Sequence, residues 1–227
     1  YDAEVAYQDH LLGSLLDTLS QPEHRENTLV ILVSDHGEML GEHQFMGHGF
    51  GVYQELVHVP LIVRFPTGAR TKRIAEQVSI TRLFHTVLDF SGISSYTTTY
   101  NEAVDTADMS LKRLIFGEKE LSDTVISEAY APNFALSILE NNIPKNIEKF
   151  HCRSTYRALY DNGHKFVDIE NIRQELYDLK EDAGEMNDLS LSTELGRVQR
   201  LSESLEQFVV EARTHVPEDK KSTSNLS

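Results

Sequence analysis

The sequence has 227 residues, with 21 Lys or Arg against 36 Asp or Glu, which gives a formal net charge of −15. Hydrophobic residues make up 40% of the chain, an ordinary fraction for a globular protein that buries a core. The acidic balance argues against nucleic acid as a partner, because Lys- and Arg-rich surfaces bind phosphate backbones. No run approaches the roughly 18 apolar residues of a membrane-spanning helix, and the first residues lack the basic start and apolar run of a signal peptide.

The first part of the chain alternates between helical and strand-forming patterns. Leucines recur at helical spacing over residues 1–19, and Pro22 ends this pattern because proline cannot continue the hydrogen-bond ladder. The apolar, β-branched run over residues 28–33 predicts a strand covered on both faces, as in a parallel sheet between helices. A Gly- and His-rich active-site loop, a second buried strand and a helix capped by Gly92 are predicted next, over residues 39–52, 59–65 and 80–91.

The second part of the chain has the pattern of an antiparallel sheet followed by a helix. Asn162-Gly163 between two alternating apolar runs is a hairpin signal. Strands are predicted over residues 124–130, 156–160 and 165–169, a further short strand or turn over 174–179, and helices over 109–116 and 191–213. We therefore predict an α/β fold, with part of a mixed sheet flanked by helices, then a small antiparallel sheet with a C-terminal helix. The predicted segments are part of an α/β domain, a linker, a small α+β subdomain and a disordered tail, over residues 1–95, 96–123, 124–215 and 216–227.

A carboxylate and an imidazole stand side by side where the first predicted strand ends. Asp35 and His36 follow the apolar run, at the carboxyl end where open α/β sheets place their ligand sites. Both can reach one divalent cation, because Gly37 leaves room for a sharp turn. Glu38 is predicted to accept a hydrogen bond behind the ligands or to cap the turn, and Ser34 to bond the turn backbone. An ordinary surface turn is the alternative.

A histidine between two glycines follows twelve residues after His36. His48 lies on an exposed Gly-His-Gly backbone, and its imidazolium can bind the oxygens of a sulfate or phosphate, or protonate a leaving group. The alternative is a histidine that caps its loop. His43 and His58 nearby are predicted to be structural. Cys152 stands alone, so the sequence predicts no internal disulfide and a plain structural thiol.

Several blocks in a fixed order resemble the second half of a sulfatase. They are Ser34–His43, Gly47-His48-Gly49, Tyr53-Gln54-Glu55 and Val59–Val63, then Glu175–Asp182 with Gly184-Glu185 and Asn187-Asp188-Leu189 near the end. The order and spacing of the blocks are more specific than any single block. The resemblance covers nearly the whole chain and implies a sulfatase-type fold of the alkaline phosphatase superfamily.

The resemblance also implies a mechanism. In sulfatases a formylglycine, made from Cys or Ser in a Cys/Ser-x-Pro-x-Arg motif, attacks sulfur as its hydrated diol. A divalent metal, most often Ca²⁺ with Mn²⁺, Mg²⁺ or Zn²⁺ as possibilities, holds the sulfate oxygens. By position, Asp35 and His36 are implied to be metal ligands, and His48 the contact to the sulfate or the leaving oxygen. The implied substrate is a small-molecule or saccharide sulfate ester.

The nucleophile motif and the family's paired N-terminal aspartates do not occur in these 227 residues. Cys152 is followed by Arg153 rather than by x-Pro-x-Arg, and it comes after the metal turn instead of before it. We expect the chain to be a fragment that has no turnover by itself, and a degenerate relative is the alternative. The cellular compartment and the oligomeric state are left undetermined.

Two other functions compete with a sulfatase. Phosphoethanolamine-type transferases of the same superfamily also use an Asp-His-Gly-Glu turn followed by His-Gly. Phosphonate or phosphate ester hydrolases are closer, and the sequence does not separate them from sulfatases. The Val-Pro-Leu-Ile-Val and Glu-Leu-Tyr-Asp-Leu blocks favour sulfatases over the transferases. A non-catalytic binding module on the same scaffold is the alternative from another class, since a fold alone does not settle a function.

Overall fold

The computed structural model describes residues 1–66, 71–98, 103–117, 124–192 and 194–214. The helices are α1 (Asp2–Leu19), α2 (Pro22–Arg25), α3 (Gln54–Val57), α4 (Arg82–Phe90), α5 (Thr106–Met109), α6 (Lys112–Phe116), α7 (Asn133–Asn142), α8 (Pro144–Lys149) and α9 (Leu195–Thr214). The strands are β1 (Val30–Val33), β2 (Met39–Leu40), β3 (Met46–Gly47), β4 (Leu61–Arg64), β5 (Ser95–Thr97), β6 (Ala103–Asp105), β7 (Val125–Ala129), β8 (Tyr156–Asp161), β9 (His164–Ile169) and β10 (Arg173–Asp178). Among the described residues, none of these helices is long and apolar enough to span a membrane.

The chain divides into two compact units. The first unit comprises Tyr1–Asp35 and Val59–Ala75, and the second comprises His36–His58 and Glu76–Ser227. The predicted boundaries at residues 95 and 123 follow changes in composition rather than contacts, and they stay predictions. The sequence also predicts a turn over residues 66–69, of which 67–69 lie outside the described residues, as does the tail predicted at 216–227.

The first unit contains α1 and a two-stranded ribbon. β1 pairs with β4 in antiparallel direction, from Val30 opposite Arg64 to Val33 opposite Leu61. The Arg64 guanidinium donates a 2.7 Å hydrogen bond to the Leu19 carbonyl, which ties β4 to the end of α1. Val33 is 40% exposed and Ile62 61%. For the described residues, the predictions of a first strand covered on both faces of a parallel sheet and of a buried second strand are therefore wrong. An apolar run signals a tendency to be buried and does not specify the pairing partner.

The second unit is built on a four-stranded antiparallel sheet in the order β10-β9-β8-β7. Asn162 and Gly163 both have positive φ, 49° and 84°, as a tight hairpin turn between β8 and β9 requires. The predicted hairpin, the strands that flank it and the terminal helix are thus confirmed. α4 ends as predicted, since Gly92 takes φ 80° and the Ile93 N–H returns to the Leu88 carbonyl at 3.0 Å.

The two faces of this sheet bury different side chains. One face packs Leu159, Phe166 and Leu176 against α9, through Val198, Leu201 and Leu205. Burying each of these side chains stabilises the fold by roughly 1.5–3 kcal/mol. The opposite face packs Ala158 and Val167 against residues 39–56 and 147–152. This second face therefore supports the segment that carries the Gly-His-Gly sequence.

Some elements were not predicted. α7 and α8 occupy a stretch that the sequence left irregular, and β5 and β6 pair within the segment predicted as a linker. Residues 39–52, predicted as an irregular loop, contain a short hairpin of β2 and β3 with a 3-10 turn at Glu42–Gln44. These elements are too short or too polar to produce a clear hydrophobic period.

Candidate metal and anion site

The metal turn begins where the β1–β4 ribbon ends. The Ser34 N–H donates to the Pro60 carbonyl at 3.3 Å, which continues the ladder one step beyond β1. Ser34 thus bonds within the ladder through its backbone, and Asp35 follows it as an exposed residue at the end of the first unit. The Asp35 residue is thus in contact with solvent at the end of a strand.

Gly37 fixes the path of the next residues. Its N–H donates to the Leu56 carbonyl at 2.8 Å, so the turn is bonded to the end of α3. A Cβ atom at this position would overlap the Glu55 carbonyl, which is why the turn requires glycine. His36 Nδ1 donates to the Gly37 carbonyl at 2.8 Å. In the neutral ring this bond leaves the lone pair on Nε2, the nitrogen that can ligate a metal.

The β2–β3 hairpin brings Glu38 and His48 together. Met39 lies opposite Gly47 in the ladder, so the residue before β2 faces the residue after β3. The His48 Nδ1–H donates to Glu38 Oε2 at 3.0 Å. The rings of His36 and His48 stack with centroids 4.4 Å apart and planes at 27°. Three polar side chains, from a stretch of thirteen residues, thus converge at one end of a short hairpin.

Glu38 and His48 have different roles in this arrangement. The Glu38 carboxylate accepts a hydrogen bond from the His48 Nδ1–H, and this bond orients the imidazole ring. Nδ1 is engaged in this bond, so Nε2 is the nitrogen that can meet an anion or a leaving group. The His48 side chain is 56% exposed, which leaves it accessible to a substrate. Glu38 therefore contacts His48, a role more specific than the acceptor or cap expected from the sequence.

The predicted site residues fall on both sides of the unit boundary. His36, Gly37, Glu38 and His48 lie in the second unit, and Ser34 and Asp35 in the first. The structure brings His36, Glu38 and His48 together, and the ligand roles of Asp35 and His36 stay predictions. Cys152 is 2% exposed, and burial raises the pKa of its thiol. A buried thiol with a raised pKa is a poor nucleophile, which fits its predicted structural role.

A buried ion pair of Lys165 and Glu185 is bonded to the backbone of residues 52–54, in the segment that follows His48. Lys165 Nζ lies 2.6 Å from Glu185 Oε1, and neither side chain is exposed. Lys165 also donates to the Val52 carbonyl at 2.5 Å, and Glu185 Oε2 accepts from the Gln54 N–H at 2.6 Å. Burial lowers the pKa of Lys165 and raises the pKa of Glu185, and their mutual attraction opposes both shifts.

This pair was missed by sequence reasoning. Lys165 occupies an inward position of an alternating strand, where a charged residue is unexpected and marks a polar partner. Glu185 belongs to the C-terminal block of the resemblance, which gave it no role. The two positions are 20 residues apart in the sequence, so no local pattern indicates that their side chains are in contact.

Comparisons with known proteins agree with the sequence resemblance. Residues 1–93 match the sulfatase family model. The N-acetylglucosamine-6-O-sulfatase of Bacteroides thetaiotaomicron is 27% identical over 223 residues, which cover 97% of this chain and 37% of that protein. The chain thus spans less than two fifths of the length of this curated relative.

Solved structures show the same fold. The structure of BT4656 with its substrate D-glucosamine-2-N,6-O-disulfate superposes with a TM-score of 0.69 at 24% identity, covering 95% of this chain and 41% of that one. The phosphonate monoester hydrolase of Agrobacterium radiobacter gives a TM-score of 0.65 at 24% identity, covering 92% and 40%. The chain therefore shares the fold of these solved enzymes. The match of residues 1–93 to the family model and the shared fold make the chain similar to sulfatases.

Proposed function

We propose that the complete protein hydrolyses sulfate esters and that this chain supplies part of the site. Asp35 and His36 are the proposed metal ligands, and His48 is the proposed proton donor to the leaving oxygen. The observation that carries the proposal is the convergence of His36, Glu38 and His48 at the end of the β2–β3 hairpin. Sulfatase relatives aligned along nearly the whole chain support it.

The donor set of the turn suits a divalent cation. Asp35 carries carboxylate oxygens, and His36 carries an imidazole whose Nδ1 is oriented by its bond to the Gly37 carbonyl. We propose Ca²⁺ first, with Mn²⁺, Mg²⁺ or Zn²⁺ as alternatives, because the imidazole also suits softer ions. When bound, the cation would polarise the sulfate oxygens. Two ligands bind such an ion weakly, so further ligands would come from outside these 227 residues.

His48 supplies the acid of the proposed reaction. Cleavage of a sulfate ester leaves an alkoxide or phenoxide, and a positioned imidazolium can protonate it. Glu38 holds that ring through Nδ1 at 3.0 Å, which leaves Nε2 to give the proton. The proposed nucleophile is a formylglycine outside these residues, and the proposed substrate class is a sulfated small molecule or saccharide.

The test compares variants of the complete protein on an aryl sulfate and on N-acetylglucosamine 6-sulfate. His48→Ala should lower kcat by roughly 10²–10⁴, the usual contribution of a general acid. Asp35→Asn should lower both bound metal and kcat. His10→Ala, on the exposed face of α1, is the matched control and should change neither. Unchanged turnover in His48→Ala would overturn the assignment.

A phosphonate or phosphate ester hydrolase is the second candidate. The fold shared with the Agrobacterium radiobacter phosphonate monoester hydrolase favours it, since the fold does not separate the two chemistries. The kcat/KM for phenyl phosphonate relative to the aryl sulfate decides between them. A non-catalytic module predicts instead that Asp35→Ala and His48→Ala leave metal content and sulfate-ester affinity unchanged.

A further inference from the structure

A second cluster of metal-ligating side chains lies within the same unit as His48. One ligand atom each from His43, Glu55 and Glu185 lies within 4.8 Å of the other two. The three residues come from the 3-10 turn at Glu42–Gln44, from α3, and from the segment after β10. The cluster shares no residue with the Asp35–His36 turn.

Two atoms of this cluster are buried without a hydrogen bond. His43 Nε2 and Glu55 Oε2 lie 3.7 Å apart, and neither makes a hydrogen bond to any described residue. The His43 side chain is 11% exposed, and the Glu185 side chain not at all. Buried polar atoms nearly always have a partner, whether protein, water or ion. An imidazole nitrogen facing buried carboxylates is a typical setting for a cation.

The surrounding residues hold the three side chains in place. The His43 ring stacks on Tyr53 with centroids 3.9 Å apart and planes at 7°. Glu185 Oε2 accepts from the Gln54 N–H at 2.6 Å, which fixes the carboxylate plane. His43 has φ 50° and ψ 17°, a left-handed backbone conformation that side chains seldom adopt. Ligands fixed in this way lose little freedom when an ion binds.

A cavity gives access to the cluster. It measures about 260 Å³, and His43 and Glu185 lie on its wall together with Tyr53, Glu175 and Asp188. The space admits an ion and leaves room for water beside it. An entry path and a position for a water ligand are two of the requirements for a metal site with three protein ligands.

We propose that His43, Glu55 and Glu185 bind a divalent transition-metal ion of the zinc class, with its fourth position open to this cavity. Ligand atoms around tetrahedral zinc lie about 3.4 Å apart, which follows from bonds of roughly 2.1 Å. The observed separations of up to 4.8 Å need a side-chain movement of the order of 1 Å. Ca²⁺ fits less well, because it takes six to eight oxygen ligands.

Lys165 opposes the binding of the ion and supplies a sharp test. Its Nζ lies 2.6 Å from Glu185 Oε1, so ammonium and metal compete for the same carboxylate. Removing the ammonium should free that oxygen for the metal. Lys165→Met should therefore bind Zn²⁺ at least tenfold more tightly than the unsubstituted protein.

The experiment uses the complete protein and Zn²⁺ alone. Zinc content is measured by elemental analysis after equilibrium dialysis, with Asp35→Asn/His36→Gln as the background that removes the first metal turn. In this background one zinc per chain should remain, and His43→Gln/Glu55→Gln should remove it. His58→Gln is the matched control, because His58 is exposed and lies near the cluster in sequence; it should keep the zinc.

A ligand-conserving variant separates metal binding from a folding defect. His43→Cys keeps a zinc ligand, and should therefore recover the zinc that His43→Gln loses. Equal zinc content with and without His43→Gln/Glu55→Gln would overturn the proposal. So would an absence of bound zinc in the background protein, which would assign the cluster to a proton-bridged network.

Discussion

Lys165→Met replaces a buried ammonium with an apolar side chain of similar length. In the structure this ammonium contacts Glu185 at 2.6 Å and the Val52 carbonyl at 2.5 Å, with no exposed surface on either member of the ion pair. The substitution leaves the Glu185 carboxylate charged and buried without its cation. Breaking one side of such a pair costs about 3–5 kcal/mol, and the Val52 carbonyl loses its donor as well.

The assay is urea unfolding with a metal chelator present, followed by circular dichroism. The free energy of unfolding should fall by about 3–5 kcal/mol in Lys165→Met, a large part of the 5–15 kcal/mol that holds a typical domain folded. Lys165→Met/Glu185→Gln should regain most of it, since no buried charge remains and the Gln oxygen still accepts from Gln54. Lys112→Met is the matched control: its pair with Asp89 is partly exposed, so the loss should stay below about 1 kcal/mol.

The pH dependence follows from Glu185. Burial raises the pKa of this carboxyl above its ordinary value of 4.5, and its cation is gone in Lys165→Met. A group whose pKa is raised on folding stabilises below its unfolded pKa and loses that stabilisation as the pH rises. The free energy of unfolding of Lys165→Met should therefore be only slightly below that of Lys165→Met/Glu185→Gln near pH 4.5. The difference between the two variants should grow toward pH 7. A deficit below 1 kcal/mol at pH 7, or a double variant as unstable as the single one, would refute the reasoning.

Three further predictions concern other sites. Gly37→Ala should destabilise the chain by about 1–3 kcal/mol in thermal unfolding, because its Cβ would overlap a backbone carbonyl, whereas Gly13→Ala in α1 meets no atom within 4 Å and should stabilise by about 0.5–1 kcal/mol. Cys152 should react with a thiol reagent at pH 8 only as fast as the chain unfolds, and rapid labelling of the native protein would contradict its burial. Glu38→Gln should lower kcat on an aryl sulfate by about tenfold or more while preserving metal content, since His48 loses its charged partner.

Local patterns predicted the second unit well. The Asn162-Gly163 turn and the alternation on either side of it are contained within about fifteen residues, so the hairpin could be derived from the sequence. The helix ended by Gly92 is similarly local, because the glycine itself adopts the conformation that stops the helix. Elements specified by adjacent residues are the ones that sequence reasoning recovers.

The site was predicted in part. The Ser34–Glu38 turn follows directly from the strand that precedes it, and glycine at 37 has a clear steric reason. The bond between Glu38 and His48 depends on the register of a two-residue ladder, which no hydrophobic pattern reports. The Lys165–Glu185 pair depends on two segments that meet under the loop. Contacts between segments that are distant in sequence can be identified only once the fold is known.

The ribbon of β1 and β4 affects how the chain behaves in concentrated solution. Val33 and Ile62 present apolar side chains to solvent from short strands, and Leu11 and Leu15 of α1 are about half exposed as well. Short apolar strands with unpaired edges tend to associate with other molecules. Repulsion between molecules of like charge opposes this association. The net charge of −15 therefore produces an electrostatic barrier to self-association. Acid or high salt lowers this barrier, and light scattering should then report self-association before the antiparallel sheet of the second unit unfolds.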